Sequence, residues 1–283
     1  MTERRGEESL LLELVRRIVG WAKPPSPGPR GRIRRIIHVY LCWNRRLLLD
    51  PWLRYSPAIK LLRSYFRNGW PRVLDVGSGS AGLAYFSKKE VIGVDRSFVP
   101  DDLARFRSLM QPIRASATNL PFRDSSFEAV ISMDLIEHLP RSVRGQAIAE
   151  MIRTAQSLVI VGFPFGAKSR KYDEQALVEE RKRGGAPDWR EEHVAYQVPG
   201  DEIHQSITQL VLSNPGSTLK WFPQEGINGL RLRWKLQFLI AKASRMYGVV
   251  FFPLYWIHRR GRPRRAYRRI YVIALRPLGR LPE

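Results

Sequence analysis

Val73-Leu-Asp-Val-Gly77-Ser-Gly79-Ser-Ala-Gly82 is the stretch on which the fold turns. A short strand-like run leads into three glycines spaced G-x-G-x-x-G, and the helix-like segment Leu83–Lys88 follows. Glycine lets a backbone turn tightly and approach a ligand closely, so a strand–turn–helix of this kind marks a binding loop. Downstream, short apolar runs recur at Val91–Asp95, Ile113–Ala115, Phe127–Ser132 and Ser157–Phe163, with helix-like segments such as Val143–Ala155 between them. That alternation predicts βαβ units and a mostly parallel α/β sheet covered by helices on both faces. Two further strands are expected at Ser217–Phe222 and Arg269–Leu275, after a helix Glu202–Leu212 capped by Asp201 and stopped by Asn214-Pro215-Gly216.

The glycine spacing alone also suits dinucleotides. Charge separates the alternatives. Asp75 stands two residues before the first glycine, where its carboxylate would repel a pyrophosphate. A nucleoside that carries a sulfonium and an ammonium but no phosphate, S-adenosylmethionine, would instead be favoured there. Asp95 ends the next strand 20 residues after Asp75 and is placed to accept hydrogen bonds from ribose hydroxyls, which either ligand would offer.

Ala115-Ser-Ala-Thr-Asn-Leu-Pro-Phe-Arg-Asp-Ser-Ser-Phe127 and Ala129-Val-Ile-Ser-Met-Asp-Leu-Ile-Glu-His-Leu139 complete a pattern. Together with the aspartate–glycine loop and Asp95, they resemble the class I S-adenosylmethionine-dependent methyltransferases, most closely the subgroup that includes quinone-biosynthesis enzymes. The resemblance covers about residues 70–165. It implies a Rossmann-like seven-stranded sheet in the order 3-2-1-4-5-7-6, with strand 7 antiparallel. It also implies that Gly77, Ser78 and Gly79 pass close to the methionine part of the cofactor and that Asp75 lies near its charged end. Asp95 would hold the ribose, Ser116 and Ala117 would flank the adenine, and Ser132 with Met133 would line the floor beneath the sulfonium. Ser116 departs from the family, which often has an aspartate there to accept from the adenine amino group. His138 falls near the cofactor pocket by family position, or else it is a helix-start histidine bonded to its own backbone. The Asn/Asp-Pro-Pro-Tyr/Phe motif of many amino-group methyltransferases is absent, with Met133-Asp-Leu in its place.

In-line transfer from a sulfonium mainly requires alignment, and a hydroxyl acceptor would also need a general base. The candidates are His193, in Asp188-Trp-Arg-Glu-Glu-His193 after the fifth strand, and Asp134, just beyond the fourth. His204 lies inside an expected helix and suits the role less. The polar stretch 166–199 is too long for a plain connection and is expected to form part of the substrate-side surface. No metal ligands are expected. The single cysteine, Cys42, excludes an internal disulfide and a cysteine-pair zinc site.

The formal charge of +22 is unevenly distributed. Residues 71–166 hold 11 basic and 10 acidic side chains, residues 1–70 hold 15 and 5, and residues 167–283 hold 22 and 11. A balanced core with two cationic flanks points to a polyanionic partner, membrane or nucleic acid. Residues 1–54 are expected to form a basic amphipathic helical extension with a Pro/Gly linker at 24–31. The methyltransferase domain is expected at 55–283, with an insertion at 228–268. Val249-Val-Phe-Phe252 beside the cluster His258-Arg-Arg-Gly-Arg-Pro-Arg-Arg265 suits a segment lying in a membrane interface, and Pro253 makes the apolar run too short for a span. With an acidic start unlike a signal peptide, the expectation is a cytoplasmic enzyme, peripheral on the inner face of the membrane, acting on a lipid, lipid-linked or small-molecule acceptor. The alternatives are an RNA methyltransferase gripping phosphates and a cofactor-binding module without activity.

Overall fold

The computed structural model describes residues 49–80, 82–99, 109–182, 184–228, 230 and 266–276. Their centre is β1 (Val73–Val76), buried at every position. It pairs in parallel with β2 (Val91–Asp95) on one side and β4 (Phe127–Met133) on the other. β3 (Met110–Arg114) adds in parallel outside β2, and β5 (Ala155–Pro164) outside β4. β7 (Ala266–Ala274) then runs antiparallel between β5 and β6 (Thr218–Gly226). The order is β3-β2-β1-β4-β5-β7-β6, as expected.

Strand alternation sorts the core into two faces. Ala129, Ile131 and Met133 of β4, Leu158 and Ile160 of β5, and Ile270 and Val272 of β7 meet α1 (Leu49–Tyr65) and α2 (Gly82–Ser87). Val130, Val159, Val161, Tyr271 and Ile273 face the other way, against α3 (Arg144–Thr154) and α6 (Asp201–Leu212). Ile131, Val159 and Ile160 are fully buried. Each such side chain contributes roughly 1.5–3 kcal/mol relative to exposure.

Several elements differ from expectation. α1 begins at Leu49, before the expected domain start at 55, and carries Pro57 inside it. Proline takes away the N–H that would reach the carbonyl four residues back. That carbonyl, Leu53 O, accepts instead from Gln224 Nε2 at 2.6 Å. β3 starts three residues earlier than expected because Pro112 masks it, and an edge strand tolerates a proline. Asp201 is the first residue of α6 and not its cap, and Glu202 reaches back to the Gly200 N–H at 3.0 Å. β7 begins at Ala266, so Arg268 belongs to the sheet, opposite Pro164 and Gln224, and not to the insertion.

The polar stretch after β5 forms two helices, α4 (Gly166–Lys182) and α5 (Asp188–Ala195). The buried stripe of α4 is Ser169, Tyr172, Asp173, Leu177 and Glu180, a helical spacing made mostly of polar residues. The expected N-terminal helices, the 24–31 linker and nearly all of the 228–268 insertion lie outside the described residues. Among the described residues, no helix is long and apolar enough to cross a membrane.

Candidate active site

The strand order reverses between β1 and β4, and in sheets of this kind the crevice beyond the carboxyl ends of those strands receives the ligand. The glycine loop fills one wall. Gly77 N and Ser78 N both donate to Val94 O, at 2.8 and 3.1 Å, which folds the loop back over the end of β2. Gly77 has φ +77°, and a Cβ there would come within 2.9 Å of Leu135. Gly79 has φ +55°, yet a Cβ there would meet nothing within 4 Å. Open space therefore lies against the loop where a ligand can approach the backbone.

Asp75 and Asp95 hold the loop from beneath. Asp75 is fully buried, and its Oδ2 accepts from Leu83 N at 2.7 Å, fixing the start of α2. Its Oδ1 is buried with no hydrogen-bond partner. Burial pushes the Asp75 carboxyl up to about 7, against the lowering effect of the Leu83 N–H and the neighbouring Tyr55 hydroxyl. Asp95 accepts from Gly79 N at 2.9 Å and from Ser97 N at 3.2 Å. A carboxylate has about four acceptor sites, so Asp95 keeps capacity for hydroxyls. Ser78 is nearly buried and donates to Gly79 O at 2.9 Å.

The expected adenine and floor residues lie as follows. Ser116 is exposed, its Oγ 2.8 Å from Thr118 Oγ1, and Ala117 beside it is buried. Ser132 is fully buried and donates to Val76 O at 2.9 Å. Met133 is fully buried in the core on the α1–α2 face, against Gly162. Neither offers a free polar side chain to the crevice.

Asp134 follows directly, with φ +57°. Arg268 grips both its oxygens at 2.6 and 2.5 Å, and Arg54 Nε lies 2.9 Å from Oδ2. Burial would raise this carboxyl, but the two guanidiniums outweigh it and hold it below the usual carboxylate range. Arg268 also donates to Glu225 Oε2 at 2.7 Å, so the end of β4 is tied to α1, β6 and β7 by buried charge. A carboxylate held ionised in this way is a poor proton acceptor.

His193 does not lie on a loop. It is buried in α5, with Nδ1 3.0 Å from Asp173 Oδ2 and Nε2 3.2 Å from Nε2 of His138. His138 Nδ1 is in turn 2.6 Å from Glu192 Oε2. Burial first, and then the charge of His193, keep the His138 imidazole below its ordinary pKa. Asp173 also accepts from Tyr267 Oη at 2.9 and 3.0 Å and from Arg190. Glu137, fully buried in the 3-10 turn Ile136–His138, lies 3.7 Å from His193 Nε2. Its carboxyl is pushed well above the usual range by burial and by Asp134. The ligand atoms of Glu137, His138 and His193 lie within 4.8 Å of one another. Sequence reasoning named both histidines singly. It missed Glu137, Asp173, Arg54 and Arg268, and only the adjacency of Glu137 to His138 could have flagged any of them.

The family described as a methyltransferase domain matches residues 74–158. The match runs from the glycine loop to β4 and beyond. S-adenosylmethionine is the cofactor that a methyltransferase domain implies. Among solved structures, the plantazolicin methyltransferase BpumL bound to a monoazolic desmethylPZN analog and SAH is 12% identical, with a TM-score of 0.51, covering 87% of this chain and 90% of that one. The same methyltransferase with SAH gives 13% and 0.50, over 88% and 91%. The Haloferax volcanii complex of the Trm112 methyltransferase activator gives 13% and 0.50, over 80% and 91%. At such identities these likenesses concern the fold. No curated protein matches the chain.

The methyltransferase loop fits the cofactor on its own terms. Space is open at Gly79, an unpartnered buried carboxylate oxygen waits at Asp75, an acceptor remains at Asp95, and no lysine or arginine stands in Gly77–Ser80 to call for a phosphate. The cofactor supplies a methyl group already activated by its sulfonium. The loop residues would bind and orient it.

Proposed function

We propose that the protein transfers a methyl group to an oxygen atom of a lipid, lipid-linked or other small-molecule acceptor at the cytoplasmic face of a membrane. The observation that carries the oxygen acceptor is the imidazole pair. His193 is oriented by Asp173 and His138 by Glu192, and the two Nε2 atoms face one another at the end of the turn after β4. Leu135, three residues before His138, packs against Gly77, so the turn that carries His138 starts beside the glycine loop. A hydroxyl must lose its proton as it is methylated, and this cluster is the place to receive it. Asp134 serves differently, positioning the end of β4 through Arg54 and Arg268.

The membrane reading rests on the cationic flanks and on the apolar, aromatic run beside the 258–265 arginines. Two measurements test it. Cofactor labelled in its methyl group, incubated with whole-cell extract, should place alkali-sensitive or ether-bound label in the lipid or small-molecule fraction. The protein should float with vesicles rich in anionic lipid. Label confined to RNA, with a tight gel shift on bulk RNA and no flotation, would replace this reading with RNA methylation.

A further inference from the structure

We infer that Glu137, His138 and His193 form a binding site for one divalent first-row transition-metal ion, of the zinc, manganese or iron class, at the acceptor end of the crevice. The argument begins with protons. A neutral imidazole has one N–H and one bare nitrogen. His193 Nδ1 sits 3.0 Å from a carboxylate oxygen of Asp173, and His138 Nδ1 sits 2.6 Å from one of Glu192. A carboxylate accepts, so each Nδ1 carries the hydrogen and each Nε2 presents a lone pair. Those two lone pairs face one another at 3.2 Å.

Glu137 brings a third donor to the same point. It has no exposed surface, and neither of its oxygens has a hydrogen-bond partner. Its Oε1 lies 3.7 Å from His193 Nε2. Three electron-rich atoms converging without a positive centre repel one another, and an ion among them turns repulsion into coordination. The spacing suits it: with metal–ligand bonds of about 2.0–2.1 Å, tetrahedral neighbours lie about 3.3 Å apart. The charge suits it as well. Asp134, whose charge acts on Glu137, is already matched by Arg268 and Arg54, whereas no arginine or lysine is bonded to Glu137.

The outer partners have the form that metal-binding histidines share, a carboxylate on the far ring nitrogen. Asp173 is itself locked by Arg190 and Tyr267, so the His193 ring is fixed before any ion arrives. Two imidazoles and one carboxylate, without thiolate, favour zinc, iron or manganese over softer ions. Three protein ligands also leave a coordination position open. Building on the proposed oxygen acceptor, that position would take the acceptor's oxygen and make its hydroxyl acidic enough to lose its proton to water, since with the ion bound the two Nε2 atoms are ligands and no longer receive it.

The test uses the full chain without a histidine tag, stripped by chelator and then titrated with Zn2+ by calorimetry. Co2+, followed by its visible absorption, gives a readout independent of activity. Wild type should bind about one ion per chain. His138→Ala and His193→Ala should each weaken binding by about 100-fold or more, and Glu137→Gln by roughly 10–100-fold. His204→Ala, on α6, should leave it unchanged. Retained S-adenosylmethionine binding shows that a variant is folded. Should the buried variants fail to fold, the half-buried His138 decides: Zn2+ should raise the melting temperature of wild type and not that of His138→Ala. Equal affinity in wild type and His138→Ala, or no bound ion in wild type, would overturn the site and leave a shared proton between the rings. A bound ion with label found on nitrogen or carbon would instead end the oxygen-acceptor reading and keep the metal site.

Discussion

Between Val73 and Asp95, the polar groups that shape the glycine loop come from one continuous strand–turn–helix–strand stretch, whereas Glu137, His138, Asp173 and His193 reach their common point from a 3-10 turn and two helices. The first wall is set by backbone conformation: positive φ at Gly77 and Gly79, and two carboxylates holding main-chain N–H groups. The second wall is set by buried charge, with Asp173 accepting from Arg190, Tyr267 and His193 together. Local geometry therefore shapes the loop wall, and long-range electrostatics the histidine wall. Disturbing one should leave the other largely intact.

Asp173→Ala makes the strongest test of that division. Arg190 and Asp173 are each about 1% exposed at the side chain, and Arg190 would be left as an underpaired buried cation. Breaking such a pair costs about 3–5 kcal/mol. At roughly 2–4 °C per kcal/mol for a chain of this size, thermal melting should fall by on the order of 10 °C. Below that melting point, S-adenosylmethionine affinity by calorimetry should change less than about tenfold. An equal collapse of affinity would show that the two walls are one unit.

Gly77→Ala disturbs the other wall. The added methyl meets Leu135 at 2.9 Å and the backbone stays at φ +77°, so a cost of about 1–3 kcal/mol is expected. Cofactor affinity should fall by at least about tenfold, with metal binding at the histidines preserved. Normal cofactor affinity in this variant would remove the loop from the binding site.

The same division explains what could be read from the chain alone. The glycine loop, Asp75 and Asp95 were legible because their spacing is local and glycine's conformational freedom leaves a mark in sequence. The sheet was legible because its strands are apolar runs. The second wall was not, for physical reasons. The buried stripe of α4 is Ser169, Tyr172, Asp173, Leu177 and Glu180, mostly polar, so apolar periodicity could not reveal a helix there, and 166–199 reads as one polar stretch. Arg268 reads as one more residue of a basic cluster until β7 places it opposite Pro164 and its guanidinium on Asp134. A proline such as Pro57 ordinarily breaks a helix, and the partner that makes a break unnecessary, Gln224, lies far away in the chain.

Asp75 sharpens the comparison through pH. Its carboxyl is raised from 3.8 to about 7 in the folded protein by burial. Between those values the folded state holds a proton that the unfolded chain has released, so Asp75 lowers stability as pH rises from about 4 to 7. The effect levels off above that window, at on the order of 2–4 kcal/mol in total. Asp75→Asn keeps an oxygen for Leu83 N and removes the charge. Urea unfolding from pH 4 to 8 should show a flatter stability profile than wild type, with the variant the more stable of the two at pH 8. Cofactor binding at pH 8 should weaken by about tenfold or more, since a buried anion that opposes folding is what the cationic cofactor uses. A variant that lost stability at pH 8 would make Asp75 a structural cap alone.

The smallest effect is expected at Ser116. Its hydroxyl is exposed, lies 2.8 Å from Thr118 Oγ1 and accepts from Thr118 N at 3.3 Å. Ser116→Asp can keep the Thr118 N–H bond with one oxygen and offer the other to an adenine amino group. Water competes for both partners at an exposed position, so the net gain is about 0.5–1 kcal/mol, or roughly two- to fivefold in cofactor affinity. Thermal stability should hardly move. The sign of the change locates the adenine: tighter binding places the amino group within reach of position 116, and weaker binding places a negative feature of the ligand there instead. Either sign is readable only because the loop wall is local, so that a carboxylate added at its rim has no buried partner at the histidines to disturb.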